Sequence, residues 1–301
     1  MLPSAEVLAH SISLDGAEAI SMRVIMPRIV LAEFNKHRKL ASNTSSSRAI
    51  PILKMIRHVK DNMFYPLYYG ANQAGMQAKE ELTGWRLYVV KKLWRLFGLA
   101  ACNTALIFNK LGLHKQIANR IIESFSYITV IFTGTDITNF LMLRNHPDAQ
   151  PEIKYVAEKI QEAYENSTPK LLQYGEWHLP LVTEEEKLKF DLDDQIVLSV
   201  ARCASTSYTT VDGKQMDLDL AHKIVDKLSN SNPIHASPFE HQLKPDRMVV
   251  IEYRRFGEQN LKKACVWMNP NLHGCTLGYI QYRKKIKNES QCDDIPYFLI
   301  P

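Results

Sequence analysis

Apolar and polar residues alternate along the first forty positions in three runs. These are AHSISL, AISMRVIM and, after Pro27, RIVLAEF, and the two-residue period predicts strands. From about Glu80 the period lengthens. Trp85, Val89 and Leu93 recur at i, i+4 and i+8, while Lys91, Lys92 and Arg95 crowd another face. That pattern predicts a helix with a solvated outer face and an apolar inner one; a helix lying on a membrane surface is the alternative. HKQIANRIIESFSYITVIF carries Ile117, Ile121, Phe125 and Ile128 on one stripe and predicts an amphipathic helix. PEIKYVAEKIQEAYENS predicts another, with Ile153, Val156, Ala157, Ile160 and Tyr164 on one face and Thr168-Pro169 as its stop. Between Gly175 and Asp194 the chain turns polar and acidic and reads as a linker or surface excursion. Beyond it, QIVLSVARCA reads as a strand and DLDLAHKIVDKLSN as a helix built on Ala221, Ile224, Val225 and Leu228. MVVIEYRRF reads as a further strand. Strands, helices, a strand, a helix and strands in that order predict an α+β architecture, not a doubly wound sheet.

Composition narrows this picture only slightly. With 301 residues, 46% apolar and 23% charged, the chain can bury a sizeable core as one large domain or two average ones. A net charge of +5 suits an anionic small molecule and lacks the dense basic stripe of a duplex-DNA binder, so no DNA partner is expected. No apolar run has the length of a transmembrane helix and the start lacks a signal-peptide pattern; the expected location is the cytoplasm. The five cysteines (102, 203, 265, 275 and 292) are odd in number and show no C-x-x-C spacing, which fits free thiols better than a disulfide frame or zinc site.

Three stretches carry candidate chemistry. HRKLASNTSSSRAIP, His37 to Pro51, sets hydroxyls and two guanidiniums together. Ser, Thr and Arg side chains can share one phosphate there, and a capped polar turn is the plainer reading. No Gly-rich phosphate loop occurs, so a bound nucleotide must be held by such side chains. HASPFEH, His235 to His241, reads as a capping box with Ser237 at the N-cap, Pro238 in the first turn and Glu240 at N3. A helix start of this kind also attracts anions, whereas the histidine spacing is not that of a zinc helix. In TNFLMLRNHPDAQPEI, Arg144 closes an apolar helical run, where it either caps the last carbonyls or points into a cleft. A nucleophile search finds no G-x-S-x-G elbow and no Cys beside an activating His; Cys203 reads as a small buried apolar residue.

Taken together, these stretches resemble the flavin-dependent thymidylate synthases. That family carries R-H-R-x7-S, matched here by His37-Arg38, seven residues and Ser46, with Asn43 and Arg48 at the offsets of N-E-x-S-x-R. ARCASTSY resembles its A-R-x-S-Y segment through Ser207-Tyr208, HASPFEH its H-x-[ST]-P-[FL]-E-H turn, and Asn139 to Arg144 followed by Ala149, Gln150, Glu152 and Ile153 its N-F-L-x-L-R and A-Q-x-E-I pieces. The order is permuted, since two of the pieces that precede R-H-R in the family follow it here. The resemblance therefore implies a circular permutation of one α+β domain over 1–301, mainly antiparallel sheet with packed helices. Residues 1–180 carry the first set of motifs and 190–301 the second. The longer permuted form, with SSSRAIP and a closing Gln281 to Lys284, resembles phage-type members.

The resemblance also implies roles. Ser46 and Arg48, with Arg120 of ANRII, would hold the phosphate of dUMP, near Glu33 and Lys36. Arg144 would polarise the pyrimidine. His37, Arg38, Asn43, Asn139, Ser207, His235, Ser237 and Glu240 would line FAD. NADPH would be the reductant, methylenetetrahydrofolate the carbon donor, dTMP the product and a homotetramer the assembly. Lys36, Thr44, Glu33, Asp148 and Ser205 depart from the family pattern. They keep open a related modification, hydroxymethylation of dUMP or action on dCMP, and a non-catalytic flavin- or nucleotide-binding homologue stands beside both.

Overall fold

The computed structural model describes residues 2–207, 216–253, 261–287 and 289. Two ten-residue strands open the chain, β1 (Ser4–Ser13) and β2 (Glu18–Pro27), turned at Gly16 with φ +79°, a backbone state that costs glycine no Cβ clash. The RIVLAEF run that follows is helical and not a strand. A 3-10 turn, Arg28–Val30, leads into α1 (Leu31–Asn35). Val30 and Phe34, one helical turn apart, are both buried in the main core, and packing at that spacing overrides β propensity. β3 (Leu40–Thr44), α2 (Ile52–Asp61) and α3 (Gly84–Lys110) come next.

The single helix expected from His114 onward divides into α4 (Lys115–Ala118), a 3-10 turn Asn119–Phe125 and β4 (Tyr127–Gly134). Ile117 and Ile121 of the expected stripe are exposed, whereas Ala118 and Ile122 are buried. YITVIF is rich in β-branched and aromatic residues and pairs on both edges, so it sits as a central strand. α5 (Thr138–Arg144) and α6 (Pro151–Glu165) follow; Ile153, Val156, Ala157 and Ile160 of α6 are fully buried on the expected face.

After β5 (Lys170–Leu172), the acidic stretch expected as a linker is folded structure. It holds buried His178 and Leu179, then α7 (Glu184–Lys189), started by a reciprocal Thr183–Glu186 capping box. QIVLSVARCA, expected as a strand, is most of α8 (Leu192–Ala204), whose Asp191 accepts from the Asp194 amide at its N-cap. α9 (Leu218–Ser229) is capped by Asp217 and packs on α8. β6 (Leu243–Pro245), β7 (Met248–Tyr253), β8 (Lys262–Trp267) and β9 (Tyr279–Gln281) complete the described elements. The expected strand MVVIEYRRF is β7 as far as Tyr253; its last three residues lie outside the described residues.

The main sheet has the order β3-β4-β2-β1-β5, antiparallel throughout except for the parallel β1–β5 pair. Small antiparallel pairs β6–β9 and β7–β8 lie apart from it. One sheet face, with Met22, Val24, Met26, Val130 and Phe132, packs on α6 and forms the main core. The opposite face is polar yet buried: Ser11, Ser21 and Thr133 sit under His178 and His241. A strand whose two faces are apolar and hydroxyl-bearing reads as half-exposed, and here the second half of the chain covers the hydroxyl face. The outward side of α3 also reverses expectation, because Trp85, Val89 and Leu93 are exposed and its buried residues are the small Gly98, Cys102 and Ala105. Among the described residues, no helix is long and apolar enough to cross a membrane.

Candidate active site

β3 organises the candidate residues. It is an edge strand of the main sheet, and the 3-10 turns Ser205–Ser207 and Ser237–Glu240, from the far end of the chain, lie against it. The covering relieves a bare edge of its open pairing positions. Asn43 in β3 donates through Nδ2 to the Cys203 carbonyl at 3.4 Å, tying the HRKLASN stretch to the ARCAS segment across 160 positions. Ser207 follows within that segment, while Tyr208 of the matched motif lies outside the described residues.

Ahead of β3, three candidates meet. Arg144, the last residue of α5, donates from Nε to His37 Nε2 at 3.0 Å and from Nη2 to the Glu33 carbonyl at 3.4 Å. It therefore neither caps its own helix nor stands free; it bridges α5 to α1. His37 packs edge-on to Phe140, with ring centroids 4.9 Å apart. Burial, and then the Arg144 charge, lower the His37 pKa, which keeps the ring neutral so that Nε2 can accept from the guanidinium. Glu33 Oε2 is buried without a hydrogen-bond partner among the described residues. Lys36, Arg38 and Asn139 are exposed around this cluster.

Beyond β3 the hydroxyl loop is pinned, not loose. The Arg48 amide donates to Ser46 Oγ at 3.3 Å, and the Thr129 amide to Ser45 Oγ at 3.1 Å. Asn119, fully buried, donates to the carbonyls of Ser47 at 2.7 Å and Ile50 at 2.9 Å. Arg28 donates to the Ser45 carbonyl at 3.1 Å and to Ser126 Oγ at 3.2 Å. Arg48 is exposed at the end of this turn, and Arg120 is engaged by Glu123 at 3.1 Å. A small cavity of about 140 Å³ beside the loop is lined by Ser45, Lys54, His58, Thr129 and Thr206 among others. Asn119 and Arg28 escaped the sequence reading. Asn119 adjoins Arg120, which drew notice instead, and Arg28 sits inside an apolar run; neither position carries a pattern that announces a loop anchor.

The HASPFEH turn is not a capping box. Its helix is a single 3-10 turn with Ala236 before it and no side-chain cap, and Glu240 is held by Arg283 through a short ion pair, with Gln281 donating to its carbonyl. His235 and Ser237 are exposed, while Phe239 is buried against α8. His241 is fully buried: its Nδ1 pairs with Thr133 Oγ1 at 2.9 Å, Thr133 with Ser21 at 2.5 Å, Ser21 with His178 Nε2 at 2.8 Å and His178 Nδ1 with Ser11 at 2.9 Å. Burial drives both histidine pKa values down to about 3, so both rings are neutral links in this chain of hydroxyls. Burial likewise pushes the Cys203 thiol up to about 12, which removes it as a nucleophile.

A cleft of about 560 Å³ beside α5 is lined by Glu18, Asp136, Leu141, Asn145, Gln161 and Tyr164 among others. None of the sequence-derived candidates lines it. Its carboxylates are already paired, Glu18 with His10 at 2.6 Å and Asp136 with Lys39 at 2.6 Å. The residues around β3 retain exposed cationic and hydroxyl groups, and on that chemistry β3 is the better site.

No family model matches the chain, and no curated protein sequence matches it. Among solved structures, a UMP/dUMP methylase, PolB from Streptomyces cacaoi, bound with 5-Br dUMP, aligns at 16% identity and TM-score 0.44 over 54% of this chain and 89% of that one. The same methylase bound with 5-Br UMP aligns at 17% identity and TM-score 0.41, over 54% and 88%. At these values the likeness is to part of the backbone course, and it assigns no residue a role.

Proposed function

We propose that the chain is a flavin- and folate-dependent enzyme that transfers a one-carbon unit to C5 of a pyrimidine nucleotide, dUMP, with reduction to the methyl level. The observation that carries the reading is convergence. The pieces that resemble flavin-dependent thymidylate synthases are scattered and permuted in sequence, yet Glu33, His37 and Arg144 meet ahead of β3. Asn43 meets the Cys203 segment on it, and the Ser237–Glu240 turn lies against it. The reading expects such contacts of a permuted chain, and no local sequence feature explains them.

In this reading Ser46 and Arg48 take the phosphate, with Arg120 at the rim, and Lys36 adds positive potential. Arg144 faces the base. His37 and the Glu33 carbonyl use its Nε and one Nη2 hydrogen, so its Nη1 hydrogens are free of those bonds and can stabilise negative charge developing on a pyrimidine oxygen as C5 becomes nucleophilic. FAD, recharged by NADPH, supplies the hydride, and methylenetetrahydrofolate the carbon. Arg38, Asn139, His235 and Ser237 are exposed donors whose charge and polarity fit a diphosphate and a flavin amide edge. Asn43, Ser207 and Glu240 fit as positioning residues, two of them already holding protein partners. No protein nucleophile is needed, in keeping with the protonated, buried Cys203. The same resemblance carries a homotetramer.

The orphaned Glu33 Oε2 favours a second reading, in which the substrate is dCMP. A carboxylate oxygen only accepts, and the cytosine amino group only donates, whereas the uracil O4 at that position repels it. The test is purified protein with FAD and NADPH, offered dUMP or dCMP with methylenetetrahydrofolate, the flavin absorption being followed and the product weighed by mass spectrometry. Arg144→Ala should keep FAD and lose at least about 100-fold in turnover. Near-normal turnover in that variant, or a chain that takes up no flavin, overturns the proposal.

A further inference from the structure

Helix α3 is built inside out. It runs 27 residues, about 40 Å, and turns its small residues Gly98, Cys102 and Ala105 toward the body. A Cβ at position 98 would come within 2.7 Å of the end of the Met63 side chain and 3.1 Å of the Phe125 ring, so the helix sits close at this point. Its large apolar residues point away: Trp85 is 73% exposed, Tyr88 63%, Leu96 60% and Phe97 63%, with Val89 and Leu93 between them at helical spacing. A surface helix ordinarily turns its large apolar residues toward the core. At about 10 Å wide, the outward face covers roughly 400 Å², and exposed Ile107 and Leu111 carry its apolar character to the helix end. That approaches the roughly 500 Å² per partner at which specific interfaces begin, and it lies within the roughly 300–600 Å² of a monomer's largest apolar patch, which is often functional.

The order of residues along the stripe says what covers it. The first half of the outward face is bulky, from Trp85 to Phe97; the second half carries the exposed small residues Ala100, Asn103 and Thr104, with one large residue, Ile107, near its end. Phe97 is the midpoint of Gly84–Lys110. An identical helix laid antiparallel, with a two-fold axis at Phe97, sets each bulky half over the mostly small half of the other. Charge fits the same arrangement. α3 holds Arg86, Lys91, Lys92, Arg95 and Lys110 and no acidic residue. Four of the five cations lie in the first half, so antiparallel pairing keeps the two clusters apart and brings each toward the negative end of the partner's helix dipole. Arg86 and Lys92 also lie over the Trp85 and Tyr88 rings, which leaves their stems as part of the apolar surface.

We propose that the outward face of α3 is a two-fold interface with a second copy of this chain, its helices antiparallel about Phe97. The interface stands independently of the reaction assigned above, and it names the face on which any larger assembly begins. The test is sedimentation velocity and light scattering of the full chain across a concentration series. The expected result is a dimer or a multiple of it, with Phe97→Glu, which sets two carboxylates face to face, raising the dissociation constant by at least about 30-fold. In a second arm, Phe97→Cys should form a covalent dimer under mild oxidation while Trp85→Cys, far from the axis, should not, each compared with the parent chain. A chain that is monomeric at all concentrations overturns the proposal. So does a multimer unmoved by Phe97→Glu, cross-linking through position 85 but not 97, or a monomer that instead floats with phosphatidylserine vesicles.

Discussion

The buried histidine chain makes the protein acid-sensitive in a window where carboxylates are silent. His178 and His241 ordinarily titrate near 6.5, and in the fold each is held to about 3 by burial. The unfolded chain therefore binds two protons that the native state refuses between those values. Stability is fully present above the unfolded pKa and falls as the pH drops below it. Each histidine contributes about 1.4 kcal/mol per pH unit, so acidification from about pH 6.5 to about pH 4.5 removes about 5 kcal/mol, a large part of a typical domain's stability. His37 and His58 shift in the same direction, by burial and then by Arg144 and Arg28 respectively, and steepen the slope. Glu186 does not interfere. Its bond to Arg202 lowers it to about 2, so its contribution is lost only as pH falls below the ordinary glutamate value of 4.5. The assay is urea unfolding at a series of pH values, with the m-value confirming one transition. His241→Asn keeps an acceptor or donor for Thr133 and removes one titration, so its slope should be lower by about 1.4 kcal/mol per pH unit. A wild-type stability that is flat from neutral to about pH 5, or an unchanged slope in the variant, would refute the reasoning.

Three further outcomes follow from single contacts. Asn119→Ala strips two buried carbonyls of their donor and should cost about 2–4 kcal/mol in urea unfolding; by loosening the loop of Ser46 and Arg48, it should raise the nucleotide KM more than it lowers kcat. Glu186→Gln removes the charge from a two-bonded pair whose side chains are only 13% and 17% exposed, and should cost about 2 kcal/mol by the same measurement. Gly278→Ala adds a Cβ 2.5 Å from Ala17 at φ +83°, and a thermal melt should show it destabilised by about 1–3 kcal/mol.

What the sequence disclosed follows from the range of the interactions involved. α6 and α9 were legible because their apolar residues recur at helical spacing and their cores form on one side. QIVLSVARCA was not, since a nearly continuous apolar run looks the same in a buried strand and a buried helix; the Asp191 cap, one residue before the helix, was the signal that separates them. RIVLAEF misled for the same reason. The site divides similarly. Ser46, Arg48 and Arg144 stood out through their motifs, but that Arg144 reaches back over 107 positions to His37 is written in the packing of α5 on α1 and in no local pattern. Nor could periodicity show that the hydroxyl face of β2 and β4 is buried, because the elements that bury it arrive late in the chain.

That lateness has a meaning in time. β3 forms from residues 40–44, whereas Cys203, the α8 residue whose carbonyl its Asn43 grips, lies 160 positions on. At ribosomal rates of about 5–20 residues per second, the edge waits roughly 8–32 s for its cover. During that interval a nascent chain carries an open strand edge, which closes only when the last third of the protein emerges. Synthesis of this protein thus has a vulnerable period set by its topology, the stage at which a holding chaperone has most to offer it.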